Sequence, residues 1–194
     1  MTTTKPKAAK AKKSTKSAKT EVLAIDVQSA DLTDIETPAL VVNLFRGVKK
    51  PGGATGAVDK ALDGIITQLI EDGEIRGSAG ETTLIHTLGK IKPSRVLVAG
   101  LGPRDKFDVQ VVRRVSAEVV RFLRRKGISS TATIAHGAGI GGLDPQASGQ
   151  AIAEGAHLGL YKFGTYLTNN GDATTEFERL TVVELDKARA KAID

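Results

Sequence analysis

The sequence predicts an α/β domain of three layers, one mixed and mostly parallel sheet flanked by helices on both faces. Three observations lead there. The runs "ALVVNLF" (39–45) and "RVLVAGLG" (95–102) are almost continuously apolar, as strands buried on both faces must be. Between such runs the apolar spacing changes to three and four residues, the period of an amphipathic helix. Strand and helix patterns then alternate along the chain, which is the signature of a mostly parallel sheet.

"VLAIDVQ" (22–28) reads as the first strand and "DLTDIET" (31–37) as a polar connection. After "ALVVNLF" comes a Gly- and Pro-rich loop, "RGVKKPGGATG" (46–56). A helix follows, with Val58, Ala61, Leu62, Ile65, Ile66, Leu69 and Ile70 on one stripe and Gly73 as its stop. "ETTLIHTLG" (81–89) alternates as a strand should, "KIKPS" turns the chain, and "RVLVAGLG" is the next strand. From about Asp108 to Lys126 a second helix places Val112, Val115, Val119, Phe122 and Leu123 together, and Gly127 ends it. "STATIAH" (130–136) is a strand. Asp144 is an N-cap with Pro145 at the first helical position, and the helix runs to about Tyr161. Its residues Ala147, Ala151, Gly155 and Gly159 recur every four positions and form a smooth face for close packing. "FGTYLTNNGDATTEFE" (163–178) reads as a loop and "RLTVVELD" (179–186) as the last strand. "KARAKAID" (187–194) is the start of a helix that, on the sequence, has buried nothing.

Composition removes several functions. The 194 residues suffice for one domain with a real core. No apolar run is long enough to span a bilayer as a helix. Cys is absent, which excludes disulfides, thiolate metal sites and Cys nucleophiles. With no Trp and two Tyr, base-stacking platforms are poorly supplied. The net charge of +6 comes from a tail: residues 1–20 hold seven Lys and no acid, so residues 21–194 carry −1. That tail cannot bury enough apolar surface to order itself and is expected to be disordered. It lacks the apolar core of a secretory signal and the Arg of a transit peptide. A solubilising role is expected, with weak, salt-sensitive contact to nucleic acid as its other use.

Catalytic constellations are not apparent. His86, His136 and His157 form no short ligand spacing, and no GxSxG occurs. The adjacent carboxylates of Glu71 and Asp72 fall at a helix end. Arg114, Arg121 and Arg125 share a helix side with Glu118 between them, which predicts a solvated face with local ion pairs. Three Gly-rich loops (46–56, 100–104 and 137–142) follow strand ends, where ligands of such sheets bind. The third, "HGAGIGGLDP", lacks the Lys of a Walker loop and the chain position of a dinucleotide fingerprint. Asp144 beside it is compatible with an anion only if its carboxylate is occupied in capping.

Residues 31–62 resemble the opening of a macro domain, the ADP-ribose-binding α/β fold. Asp31 and Thr33 match its Asp-Ile-Thr turn, Asn43 the first Asn of its Asn-Ala-Ala-Asn strand end, and Gly52, Gly53 and Gly56 its Gly-rich loop. Gly139 and Gly141 fall in its second phosphate loop. Arg46 stands where that family keeps a second Asn, which helps hold the distal ribose. A longer resemblance covers about residues 21–186. The stretches "TPALVVNLFRGVKKPGGATGAVDKAL", "GETTLIHTLGKIKPSRVLVAGLG" and "TIAHGAGIGGLDPQASGQAIAEGAHLGLYKF" resemble, in order, the N-terminal, macro-like domain of the leucyl aminopeptidase (cytosol aminopeptidase) family.

The resemblance implies three segments: a tail (1–20), a macro-like domain (21–186) and the start of a linker helix (187–194). It implies a cytoplasmic, non-catalytic assembly or accessory domain. In that family two divalent metals, Zn or Mn, release N-terminal residues from peptides in a separate C-terminal domain, whose Asn-Thr-Asp-Ala-Glu-Gly-Arg motif does not occur in this sequence. No cofactor, metal ligand or catalytic residue is therefore expected here. Expected partners are such a catalytic domain or further copies in a hexamer. The alternative is a stand-alone macro-type module that binds ADP-ribose or a related nucleotide, with Asp31, Asn43, Gly52, Gly53, Gly139 and Gly141 as its pocket.

Overall fold

The computed structural model describes residues 23–138, 141–161 and 176–194. The Lys-rich tail, Gly139 and most of the expected 163–178 loop lie outside these residues. The described elements are β1 (Ala24–Gln28), β2 (Leu40–Phe45), α1 (Gly53–Ala61), α2 (Ile65–Glu71), β3 (Thr82–His86), β4 (Arg95–Gly102), α3 (Val109–Arg125), β5 (Ser130–Ile134), α4 (Pro145–Leu160), β6 (Arg179–Val183) and α5 (Lys187–Ile193).

Six described strands form one sheet in the order β1-β6-β5-β2-β4-β3. All neighbours are parallel except the pair β3 and β4. Alternate residues of β2 serve the two faces. Leu40, Val42 and Leu44 pack with Val58, Leu62 and Ile66 of the α1–α2 side. Val41 and Phe45 join the opposite core, which holds Val112, Val119 and Leu123 of α3 and Ile152 of α4. The three-layer α/β arrangement is thus as the apolar runs predicted.

Two elements differ from the sequence reading. The single helix expected from Val58 to Ile70 is two, because Asp63 (φ 58°) and Gly64 (φ 81°) take left-handed conformations. The break is stabilised by Asp59, whose carboxylate accepts the Ile66 and Thr67 amides at 2.8 and 3.0 Å and the Thr67 hydroxyl at 2.5 Å. An apolar stripe continues through the break because both helices cover the same face of the sheet.

The other difference is α5. The expectation that residues 187–194 bury nothing is corrected: Ala190 and Ile193 are buried, and Ile193 rests on Gly149 of α4. Asp186 caps α5 by accepting the Ala188 and Arg189 amides.

The smooth face of α4 has the expected role. A Cβ at Gly155 would overlap the Arg113 carbonyl oxygen, and one at Gly159 would stand 2.6 Å from that of Ala117, so α3 and α4 touch through backbone. Arg113 reaches Glu154 of α4 at 2.6 Å, and Arg124 donates to the Leu160 carbonyl at 3.1 Å. Arg113 and Arg124, which flank the Arg114, Arg121 and Arg125 side, thus turn to α4, while Arg114 and Arg125 are exposed as a solvated face requires. Glu118 pairs with Arg121 at 2.6 Å.

Candidate functional site

Strands β5 and β6 leave the ladder two or three residues before the sequence pattern ends, and that departure makes the site. β2 and β5 are neighbours whose outgoing connections run toward opposite edges of the sheet, the topology that opens a crevice at strand carboxyl ends. They pair only through Leu40 with Ala132 and Val41 with Thr133. Beyond those pairs a cleft of about 630 Å³ opens, lined by Asn43 and Phe45 from β2 and by Ile134 and Ala135 at the end of β5.

Four stretches of the chain bring predicted residues into this one cleft: Asp31, Asn43, Gly52 with Gly53, and the distant Gly141 all line it. Gly139 lies outside the described residues. Asp31 accepts the Thr33 hydroxyl at 2.6 Å and the Thr33 amide at 2.8 Å through the same oxygen. Those bonds, the hydroxyl first, hold its carboxyl below the usual carboxylate range.

Gly52 is the N-cap of α1 and makes no side-chain cap bond; the first turn of the helix carries no acid. Gly53 has φ 55°, a conformation few other residues adopt without strain. The positive end of α1 therefore meets the cleft uncovered by any capping side chain. Thr55 ties this helix to β2 by donating to the Asn43 carbonyl at 2.8 Å.

Two glycines of the 137–142 loop, Gly137 and Gly141, have a packing reason. The Phe45 and Phe107 rings meet edge to face with centroids 5.0 Å apart. A Cβ at Gly137 would stand 2.5 Å from the Phe107 ring, and one at Gly141 would stand 2.5 Å from the Gly137 Cα. The Leu143 amide closes the turn onto the Gly137 carbonyl at 2.9 Å. Asp144 is occupied, accepting the Ala147 amide at 3.0 Å, so it caps α4 as predicted.

Arg46, which replaces the second Asn of the macro pattern, is exposed and is not part of the cleft lining. Sequence alone said of His136 only that it has no ligand spacing to another His. It is 1 % exposed and meets Asn43, with 3.0 Å between the amide nitrogen and Nδ1. Its Nε2 lies 3.2 Å from the Thr133 hydroxyl. Burial pushes its pKa down to about 4. Sequence reasoning also missed Glu184, Leu185 and Arg189, which close the cleft where β6 passes into α5. The strand-end rule, applied to "RLTVVELD", was the available signal for the first two.

Among the described residues no three His, Cys, Asp or Glu side chains converge as metal ligands. His86 and His157 are exposed and stand on separate elements. Both ring nitrogens of His136 are already engaged. This donor set does not fit a two-metal centre.

Residues 41–170 match the model of the cytosol aminopeptidase family, N-terminal domain. The chain belongs to the cytosol aminopeptidase family. A probable cytosol aminopeptidase of Alkaliphilus oremlandii is 32% identical over 169 residues, which are 82% of this chain and 32% of that protein. One from Geobacter sp. (strain M21) is 33% identical over 172 residues, 87% of this chain and 34% of that protein. The chain thus spans about a third of the length of these curated aminopeptidases.

Among solved structures, a mutant of tomato leucine aminopeptidase superposes with TM-score 0.68 at 14% identity, covering 91% of this chain and 36% of that one. A Trypanosoma brucei macrodomain in complex with ADP-ribose gives 0.66 at 16% identity, covering 87% and 67%. The fold of this cytosol aminopeptidase N-terminal domain is macro-like.

Proposed function

We propose that this domain is the non-catalytic assembly or accessory part of a leucyl aminopeptidase-type metallopeptidase. The observation that carries the reading is the match of residues 41–170 to the domain that this family places N-terminally. The family reaction, metal-dependent release of N-terminal residues from peptides, belongs in this reading to a further domain. Zn or Mn would supply the activated water there, and no step is assigned to residues of this chain. Co-expression with the part of the Alkaliphilus oremlandii relative beyond the match tests it. Co-purification of the two, with no leucine release from a leucyl anilide by this chain alone, is expected. Metal-dependent release by this chain alone overturns it.

A second reading rests on a separate observation, the gathering of Asp31, Asn43, Gly52, Gly53 and Gly141 around one cleft. In this reading the cleft is a macro-type pocket for ADP-ribose or a related nucleotide, its anion facing the uncapped start of α1. Calorimetric titration with ADP-ribose at moderate salt tests it. Saturable binding at micromolar strength that Asp31→Ala abolishes supports the pocket, and no heat at near-millimolar ligand excludes it.

A further inference from the structure

We propose that His136 is a positioning residue: it locks the Asn43 carboxamide with the amide oxygen turned to the cleft, which therefore takes a ligand offering a hydroxyl or amino group there. The ligand half of this inference rests on the reading of the cleft as a binding pocket. The locked amide stands on its own geometry.

A neutral imidazole has one donor nitrogen and one acceptor nitrogen, so the partners of the ring decide which is which. The Thr133 hydroxyl carries a single hydrogen and lies 3.2 Å from the Ile134 carbonyl. If His136 Nε2–H donates to the Thr133 oxygen, the hydroxyl hydrogen is left for Ile134. Nδ1 is then the acceptor, and the Asn43 Nδ2–H donates to it across 3.0 Å. The opposite tautomer spends the hydroxyl hydrogen on Nε2 and forfeits the Ile134 bond. Buried polar groups keep the arrangement with more hydrogen bonds, which is the first.

The lock is anchored at both ends. The His136 carbonyl accepts the Ser148 hydroxyl at 2.7 Å, which ties the turn to α4. The Asn43 carbonyl accepts the Thr55 hydroxyl, which ties β2 to α1. With Nδ2 committed to the ring, Asn43 Oδ1 has no hydrogen-bond partner in the described structure, yet it is not among the buried unsatisfied atoms. Asn43 lines the cleft, so that oxygen is an acceptor the cleft presents. An acceptor fixed before binding loses little freedom when a donor arrives.

The test is nitrogen NMR of the full chain labelled with ¹⁵N, because an N–H···N hydrogen bond transmits a scalar coupling between its two nitrogens. A coupling between Asn43 Nδ2 and His136 Nδ1, with a protonated-type Nε2 signal that persists from about pH 5.5 to 8, is expected. A protonated Nδ1 without that coupling overturns the proposal. His136→Phe should weaken ADP-ribose binding about tenfold with the fold retained, whereas His136→Gln, whose Oε1 can accept the same amide hydrogen, should restore most of it. Unchanged affinity in folded His136→Phe overturns the positioning role. If His136→Phe does not fold, the coupling in the unmodified chain still decides. If the unmodified chain shows the coupling but binds no ADP-ribose, the nucleotide reading of the cleft fails and the amide orientation stands.

Discussion

Gly155 leaves no room for a Cβ beside the carbonyl oxygen of Arg113, so the two long helices α4 and α3 touch backbone to backbone. An alanine at 155 gains helix propensity worth about 1 kcal/mol but forces the helices apart. Overpacking at such a contact costs about 1–3 kcal/mol, enough to outweigh that gain. Gly155→Ala should lower the melting temperature by several degrees in a calorimetric scan, whereas Ala153→Gly, on the same helix but not buried, should act only through propensity.

Asp59 holds the break between α1 and α2 with three accepted hydrogen bonds. Removing such a capping carboxylate leaves two helix-start amides without their partner and costs about 1–2 kcal/mol. Asp59→Ala should reduce the denaturant midpoint accordingly. Asp59→Asn, which keeps an acceptor oxygen, should retain about half of the effect.

Stability should depend on His136 at mildly acid pH. Its pKa falls from 6.5 to about 4 on burial, so below about pH 6.5 the unfolded chain takes up a proton that the folded chain refuses. Stability is therefore lost as pH falls from about 6.5 towards 4, by about 3 kcal/mol in total. Urea titrations at several pH values should show that loss in the unmodified chain and less of it in His136→Gln. The lowered carboxylates Asp31, Glu154 and Asp186 act in the same direction at lower pH, and the difference between the two chains cancels them.

Ile193 is the hydrophobic foot of α5. Ile193→Ala should cost about 2–3 kcal/mol through lost burial against α4. Because Arg189 on the same helix lines the cleft, the substitution should also alter any ligand affinity measured there. Equal stability of Ile193→Ala and the unmodified chain in chemical denaturation would mean that α5 does not hold this position.

The strands were legible because burial on both faces writes an unbroken apolar run, as in "ALVVNLF" and "RVLVAGLG". The cap at Asp144 was legible because it precedes a helical stripe at the position a cap must take, whereas Asp108 was read only as the start of its helix and its capping of α3 comes from the structure. The helix break was not, since the stripe from Val58 to Ile70 serves one face on either side of it; the Asp63-Gly64 pair was the only local sign. In the cleft, Asp31, Asn43, Gly52, Gly53 and Gly141 could be read from the strand-end rule and the family resemblance. The contact of Asn43 with His136 could not, because 93 residues separate them and no periodicity links positions on different strands. Arg189 was hidden for a different reason: α5 looked too short to bury anything, so the residue it swings towards the cleft carried no signal.

The two register pairs that join β2 to β5 have a mechanical consequence. They stitch one three-stranded leaf, β1-β6-β5, to another, β2-β4-β3, at one end only. The spine is unsewn from Val42 onward, and the Asn43–His136 clasp is what spans the gap. Whatever sits in the cleft touches both leaves, so an occupant would act as a rivet. Its presence should be recorded as slower amide exchange along the facing ends of β2 and β5, well before any change in the outer strands.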